Sequence, residues 1–381
     1  MRVLIVPDKF KGTLAAGKVA EAMAAGWRRA RPGDEVEELP MSDGGDGFGA
    51  VIGGLLGART RWVQTVDAAN RPIRARWWWA GGKGGDGESR GQAVIEAAQS
   101  NGLALLPTGR FHPVDLDTTG VGRLLTAAVG AGAERCLIGV GGSATNDGGF
   151  GVGRWLGWRF LDKEGHEIRK WTDLDQLMAI EAPAQGLPRG EFVVATDVGN
   201  PLLGPEGASR VYGPQKGLNR DDIVRAERCL RQLARVVEDT LGFSSERPGC
   251  GAAGGLGFGL QVFLKAGREL GFDVFARLSE LARRVAGADL VLTGEGSVDE
   301  SSLMGKGVGQ LIECCARLGR PVVLVGGRVD LGRQRPGGIL GVGSLVERVG
   351  EGQAMRRTAA ALRTVTAGLA KELAKELGTL A

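Results

Sequence analysis

One pattern recurs along the chain and restricts what it can fold into. A short apolar or β-branched run breaks into a loop of glycine with Asp, Ser or Asn, and a stretch of helical spacing follows. Residues 2–6 (RVLIV) reach Pro7, Asp8 and Lys9; helical positions Leu14, Val19, Ala22, Met23 and Gly26 come next, with Thr13 as the expected cap. Residues 36–39 lead into PMSDGGDGFG, 135–140 into GGSATNDGG, 192–196 into DVGNPLLGPEG and 288–293 into GEGSVDES. Strand, loop and crossover helix make a βαβ unit whose strands lie parallel, so the expected fold class is α/β. Ligands of such sheets bind beyond the carboxyl ends of the strands, where these loops lie.

At 381 residues the chain exceeds what one hydrophobic core usually supports, so two domains are expected. Between residues 60 and 80 the texture changes to two extended runs bearing Arg and Trp around Asn70, Arg71 and Pro72, a hairpin signal. Helical spacing is expected near 92–101, 219–240, 260–285 and 351–378, and the strand rhythm returns at 288–293, 321–326 and 338–342. The expected architecture is a Rossmann-like parallel-sheet domain, 1–66 plus 285–381, interrupted by an inserted α/β domain over 67–284, with a cleft between them.

Glycine supplies 66 of the 381 residues, more than twice its usual share of roughly 7%. It follows no collagen period and gathers in clusters, where a missing Cβ permits positive φ or close approach of a ligand. The net charge of +4 forms no long basic stripe. Arg71, Arg74 and Arg76 with Trp77, Trp78 and Trp79 are the one basic-aromatic cluster, and three consecutive tryptophans fit a strand between layers better than spaced stacking rings, so no nucleic-acid partner is expected. Five cysteines without a CxxC pair read as buried small hydrophobes. His112 and His166 alone exclude a multi-histidine zinc site and leave a histidine triad unsupported. No run reaches the roughly 18 apolar residues of a membrane span, and no signal-peptide core precedes Pro7, so a cytoplasmic location without a membrane partner is expected.

The sharpest chemical signal lies at 137–149. The backbone N–H groups of Gly141 and Gly142 can cradle phosphate oxygens, Ser143 and Thr145 add hydroxyl donors, and Asp147 adds a carboxylate. The alternative is a turn in which Asn146 or Asp147 caps the next helix. In 289–307, Glu295 and Asp299 suit a hard divalent ion, and Lys306 suits a transferring phosphoryl group. Asp8 is placed to act as base toward a hydroxyl and Lys11 to meet an anionic substrate; the alternative for Asp8 is a local turn after Pro7. Asp43 and Asp46, and Asp197 with Asn200, stand at two further strand ends. Gly305-Lys306 is followed by Gly307, so no Walker A loop exists. The GxGxxG match at Gly249, Gly251 and Gly254 follows Pro248 rather than a strand, which argues little for a dinucleotide.

Taken in order, PDKFKGTLAA (7–16), SDGGDG (42–47), IGVGGSATNDGG (138–149), ATDVGNPLLGPEGASRVYGPQKG (195–217), GAAGGLG (251–257) and TGEGSVDESSLMGK (293–306) resemble the type-one glycerate kinases of bacteria over nearly the whole chain. The resemblance implies a phosphotransferase that uses ATP and Mg²⁺ to phosphorylate D-glycerate, usually to 2-phosphoglycerate. The site expected with it has Asp8, Lys11, Asp197 and Lys306 as catalytic residues and Gly141, Gly142, Ser143, Thr145, Asp147 and Gly294 toward the nucleotide. Asp197, Glu295 and Asp299 are expected toward the metal, and Asp43, Gly44, Gly45 and Asn200 toward the substrate. Several positions depart from the family pattern: Lys9 stands for Ser, Phe48 for a small hydroxyl residue, His112 for Asn, Val121 for Thr and Arg123 for Glu. Ser297, Ser301 and Ser302 stand for Arg and a Gln-Thr pair, which removes a bidentate donor. The alternatives are a kinase for another small hydroxy acid and a non-catalytic nucleotide-binding regulator. A small-molecule substrate and a monomer or homodimer are expected.

Overall fold

The computed structural model describes residues 1–81, 91–303, 307–332 and 337–374. It forms two compact units, Met1–Asp43 with Phe272–Ala381, and Gly44–Gly271.

The first unit is built on a five-stranded parallel sheet in the order Ile339–Ser344, Val322–Gly326, Leu290–Gly294, Arg2–Pro7, Glu35–Glu38. Val3 to Val6 and Leu290 to Leu292 are buried, because a parallel sheet is covered on both faces and its inner strands are apolar throughout. Helix Ala16–Ala30 lays Val19, Ala20, Met23 and Trp27 into a core shared with Leu362, Val365 and Leu369 of helix Thr358–Glu372. Thr13 does not cap the first helix: its hydroxyl donates to Phe10 O at 3.0 Å, and the helix starts beyond Ala15 without a side-chain cap. From strand Arg2–Pro7 the chain steps outward to Glu35–Glu38, and the later strands build on the opposite side. The order therefore reverses between Arg2–Pro7 and Leu290–Gly294, the place where open α/β sheets leave a crevice for ligands.

The second unit carries a six-stranded sheet in the order Gly267–Glu269, Glu191–Ala195, Arg135–Gly139, Gln92–Glu96, Pro72–Ala80, Arg59–Val66. The first three pairings are parallel and the last two antiparallel. The expected hairpin is present as Arg59–Val66 and Pro72–Ala80, with Trp77 and Trp78 buried. It also moves the domain boundary. Arg59–Val66 pairs along its whole length with Pro72–Ala80, and helix Phe48–Leu55 packs Gly49 and Gly53 directly on the Trp78 ring. Residues 44–66 thus belong to the second unit, and residues 272–284 to the first.

Two further expectations change. Residues 92–96 form a strand, not a helix, with a short helix only at Ala98–Asn101; a short, fully buried apolar run has no period that separates the two. The helix expected over 260–285 is broken into Ala252–Phe263, strand Gly267–Glu269, Gly271–Leu278 and Leu281–Gly287, with Lys265 at positive φ in the break. Helix Thr119–Gly130 had no clear signal in the sequence. All five cysteines are buried and unpaired. Among the described residues no helix is long and apolar enough to cross a membrane.

Candidate active site

At the reversal point of the first unit, Asp8 leaves strand Arg2–Pro7, and its backbone N–H donates to Gly294 O at 2.9 Å. The Asp8 carboxylate accepts the Lys9 N–H at 2.7 Å, so the local turn is present. The Lys9 ammonium lies 3.5 Å from Asp8 Oδ1 and 3.5 Å from Asp43 Oδ1 and bridges the two carboxylates. Burial pushes the Asp8 carboxyl up to about 6; Lys9 opposes the shift and the negative charge of Asp43 adds to it. An ordinary aspartate is a weak base, whereas one tuned toward neutrality suits proton transfer from an alcohol.

Gly294 has a packing reason for its missing side chain: a Cβ there would overlap Val325 O on the neighbouring strand. Glu295 is half-buried and Asp299 exposed. Asp299 Oδ1 accepts the Ser302 N–H at 3.1 Å, and Ser302 Oγ donates to Ser297 O at 3.2 Å, so Ser297 and Ser302 tie their own loop together. Lys11 is exposed. Lys306 lies outside the described residues.

In the second unit the glycine-rich segment after strand Arg135–Gly139 differs from the open phosphate cradle expected for it. The Gly141 N–H already donates to Gly44 O at 3.1 Å, and a Cβ on Gly141 would come within 2.5 Å of Gly45 Cα. Gly142, at φ 77°, has Asp46 where a side chain would stand, and Gly254, at φ 68°, lies against Thr145 O. The loops around 44–47, 141–149 and 249–257 interlock, and these glycines serve contact between loops.

Asp147 is also corrected. Its carboxylate is buried and accepts the N–H groups of Thr118 (2.9 Å), Gly151 (2.9 Å) and Gly149 (3.1 Å) and the Thr118 hydroxyl (2.8 Å). It therefore fastens the starts of helices Thr119–Gly130 and Phe150–Trp155, the capping alternative. Burial pushes its carboxyl up to about 6, with the nearby Asp117 adding, against the lowering effect of those hydrogen bonds. Thr145 is buried, and Asn101 Nδ2 donates to its hydroxyl at 3.3 Å. Asn200 holds its own loop: its amide donates to Glu206 O at 2.8 Å and accepts from the Tyr212 hydroxyl at 2.7 Å. Asp197 is half-buried just past strand Glu191–Ala195, and the Arg268 guanidinium donates to the carbonyls on either side of it, Thr196 O at 3.2 Å and Val198 O at 3.4 Å.

Three supporting residues escaped the sequence: Arg268, Thr118 and Lys216. Lys216 is buried, with Nζ donating to Thr145 O at 2.7 Å and Ser143 Oγ at 3.1 Å. Burial pulls its ammonium down to about 7, opposed by the Asp147 carboxylate. Its one local signal was its place in a glycine-flanked GPQKG run. Among the described residues, the one group of three carboxylate or imidazole atoms close enough to share an ion is Asp162, Glu164 and His166. It sits in a hairpin loop where Asp162 Oδ1 takes the N–H groups of Glu164 and His166, which is turn chemistry.

Residues 3–374 match the model of the Glycerate kinase family. Glycerate kinase of Bacillus subtilis (strain 168) is 37% identical over 334 residues, 87% of this chain and 86% of that protein. Glycerate 2-kinase of Escherichia coli (strain K12) is 35% identical over 358 residues, 92% of each. A crystal structure from Salmonella typhimurium LT2, of a protein assigned as glycerate kinase 2, superposes with a TM-score of 0.80 at 31% identity, covering 99% of both chains. The chain belongs to the glycerate kinase family.

Proposed function

We propose that this protein transfers the γ-phosphoryl group of ATP to D-glycerate and forms 2-phosphoglycerate. The observation that carries this reading is the end-to-end match to glycerate kinases, a glycerate 2-kinase among them. In this reading Asp8 takes the proton of the attacking hydroxyl, its carboxyl held near 6 by burial. Lys9 offsets the two carboxylates beside it, so that anionic glycerate approaches a less negative crevice, and Lys11 pairs with the glycerate carboxylate. Glu295 and Asp299 offer the hard oxygen donors that Mg²⁺ prefers, and Asp197 offers a carboxylate of the same chemistry. When bound, Mg²⁺ supplies charge neutralisation on the donor phosphates; the protein's part is positioning and electrostatics, with Lys306 as a further cation. The same reading makes the protein a cytoplasmic enzyme, acting as a monomer or homodimer.

An ATP-coupled assay with D-glycerate, followed by phosphorus NMR of the product, tests the reaction; absence of phosphoryl transfer to glycerate would overturn it. Asp197→Asn is expected to lower turnover by about a hundredfold or more with the fold intact, and near-normal turnover would remove Asp197 from the site. Ser297, Ser301 and Ser302 favour a second reading, a kinase for another small hydroxy acid, and a panel of such acids separates the two.

A further inference from the structure

Lys216 ends helix Ala208–Lys216, and a buried ammonium is a rare arrangement. Two of its three N–H bonds are directed to Thr145 O and Ser143 Oγ. The Ser143 oxygen thus accepts, and its own proton has no protein acceptor among the described residues. Ser143 is 7% exposed, while Thr145, Asn146 and Asp147 of the same loop are at 0%.

We infer that Lys216 is a positioning residue that turns the Ser143 hydroxyl into a donor for an anionic oxygen of the ligand, carboxylate or phosphoryl. The inference rests on the glycerate kinase reading, which brings both kinds of oxygen to the site. A hydroxyl whose lone pair is taken by an ammonium is left to donate, and the neighbouring cation polarises that donor. The charge on Lys216 sets the direction. A neutral amine carries a lone pair of its own and accepts a hydrogen bond from the Ser143 hydroxyl, and the outward donor is lost. The charged groups facing this amine are Asp147, from the loop it braces, and Asp117 behind Asp147. With the ammonium held down at about 7, ligand affinity falls as pH rises through neutrality.

The test is calorimetric binding of D-glycerate, and separately of a non-hydrolysable MgATP analogue, to the full chain at about pH 6 and about pH 8.5, on either side of the lysine transition. KM and kcat are measured in parallel. One of the two ligands is expected to bind about tenfold more weakly at the higher pH, the worth of one charge-assisted hydrogen bond. Ser143→Ala is expected to bind that ligand about tenfold more weakly already at the lower pH and to lose the pH dependence, with KM raised more than kcat is lowered. In a Lys216→Met background Ser143→Ala is expected to cost nothing further. Should Lys216→Met fail to fold, wild type against Ser143→Ala decides. Equal affinities and equal pH dependence in those two proteins for both ligands overturn the inference, as does an undiminished Ser143→Ala penalty in a folded Lys216→Met protein. Wild type that shows the expected binding pattern yet transfers no phosphoryl group to glycerate overturns the kinase reading and leaves the Lys216–Ser143 pair standing.

Discussion

An aspartate in water ionises near 4, but Asp8 is buried at a strand end beside a second carboxylate and is pushed up to about 6. If Asp8 is the base, turnover falls on the acid side with a midpoint near that value. Removing the like charge with Asp43→Asn is expected to move the limb to lower pH, and removing the counter-charge with Lys9→Met to higher pH; pH–rate profiles that do not move in opposite directions reject the arrangement. The sign for stability follows from the same shift. Asp8 and Asp147 both bind their protons more tightly in the folded chain, so each contributes stability below about 4 that is lost as pH rises through about 6. Asp147 also answers three N–H groups and one hydroxyl. Asp147→Ala leaves these donors buried and unpaired, at an expected cost of about 3 kcal/mol or more, read by urea denaturation. The capping role of Asp147 was one of two readings open in the sequence. Its partner Thr118 lies 29 positions away, so only the fold decides between them.

Among elements, the glycine-rich loops show what composition leaves open. A cluster of glycines announces either positive φ or close approach, but not what approaches. Here the neighbours are other glycine-rich loops, which arrive from distant parts of the chain. Gly254→Ala is expected to cost about 3 kcal/mol or more, since the new Cβ overlaps Thr145 O at a φ of 68° that side chains rarely adopt. Gly54→Ala is the opposite case. It lies within helix Phe48–Leu55 with nothing within 4 Å of the new Cβ, and is expected to stabilise by about 0.5–1 kcal/mol. Urea midpoints of the two variants check both signs.

In the whole molecule, the six-stranded sheet and its core lie inside residues 44–271. That segment expressed alone is expected to unfold cooperatively in urea, followed by tryptophan fluorescence; a gradual, featureless transition would show that its core is not self-sufficient. The strand, loop and helix succession, the hairpin at 60–80, the parallel α/β class and the family motifs were legible in the sequence because each is a local pattern of a few consecutive residues. The boundaries near 44 and 272, the interlocking of three loops, the raised Asp8 and Asp147 carboxyls and the buried Lys216 were decided by tertiary structure. Lys216 and Ser143 are 73 positions apart. Burial draws an ammonium down and pushes a carboxyl up, and that burial arises when distant segments close around the group and exclude water.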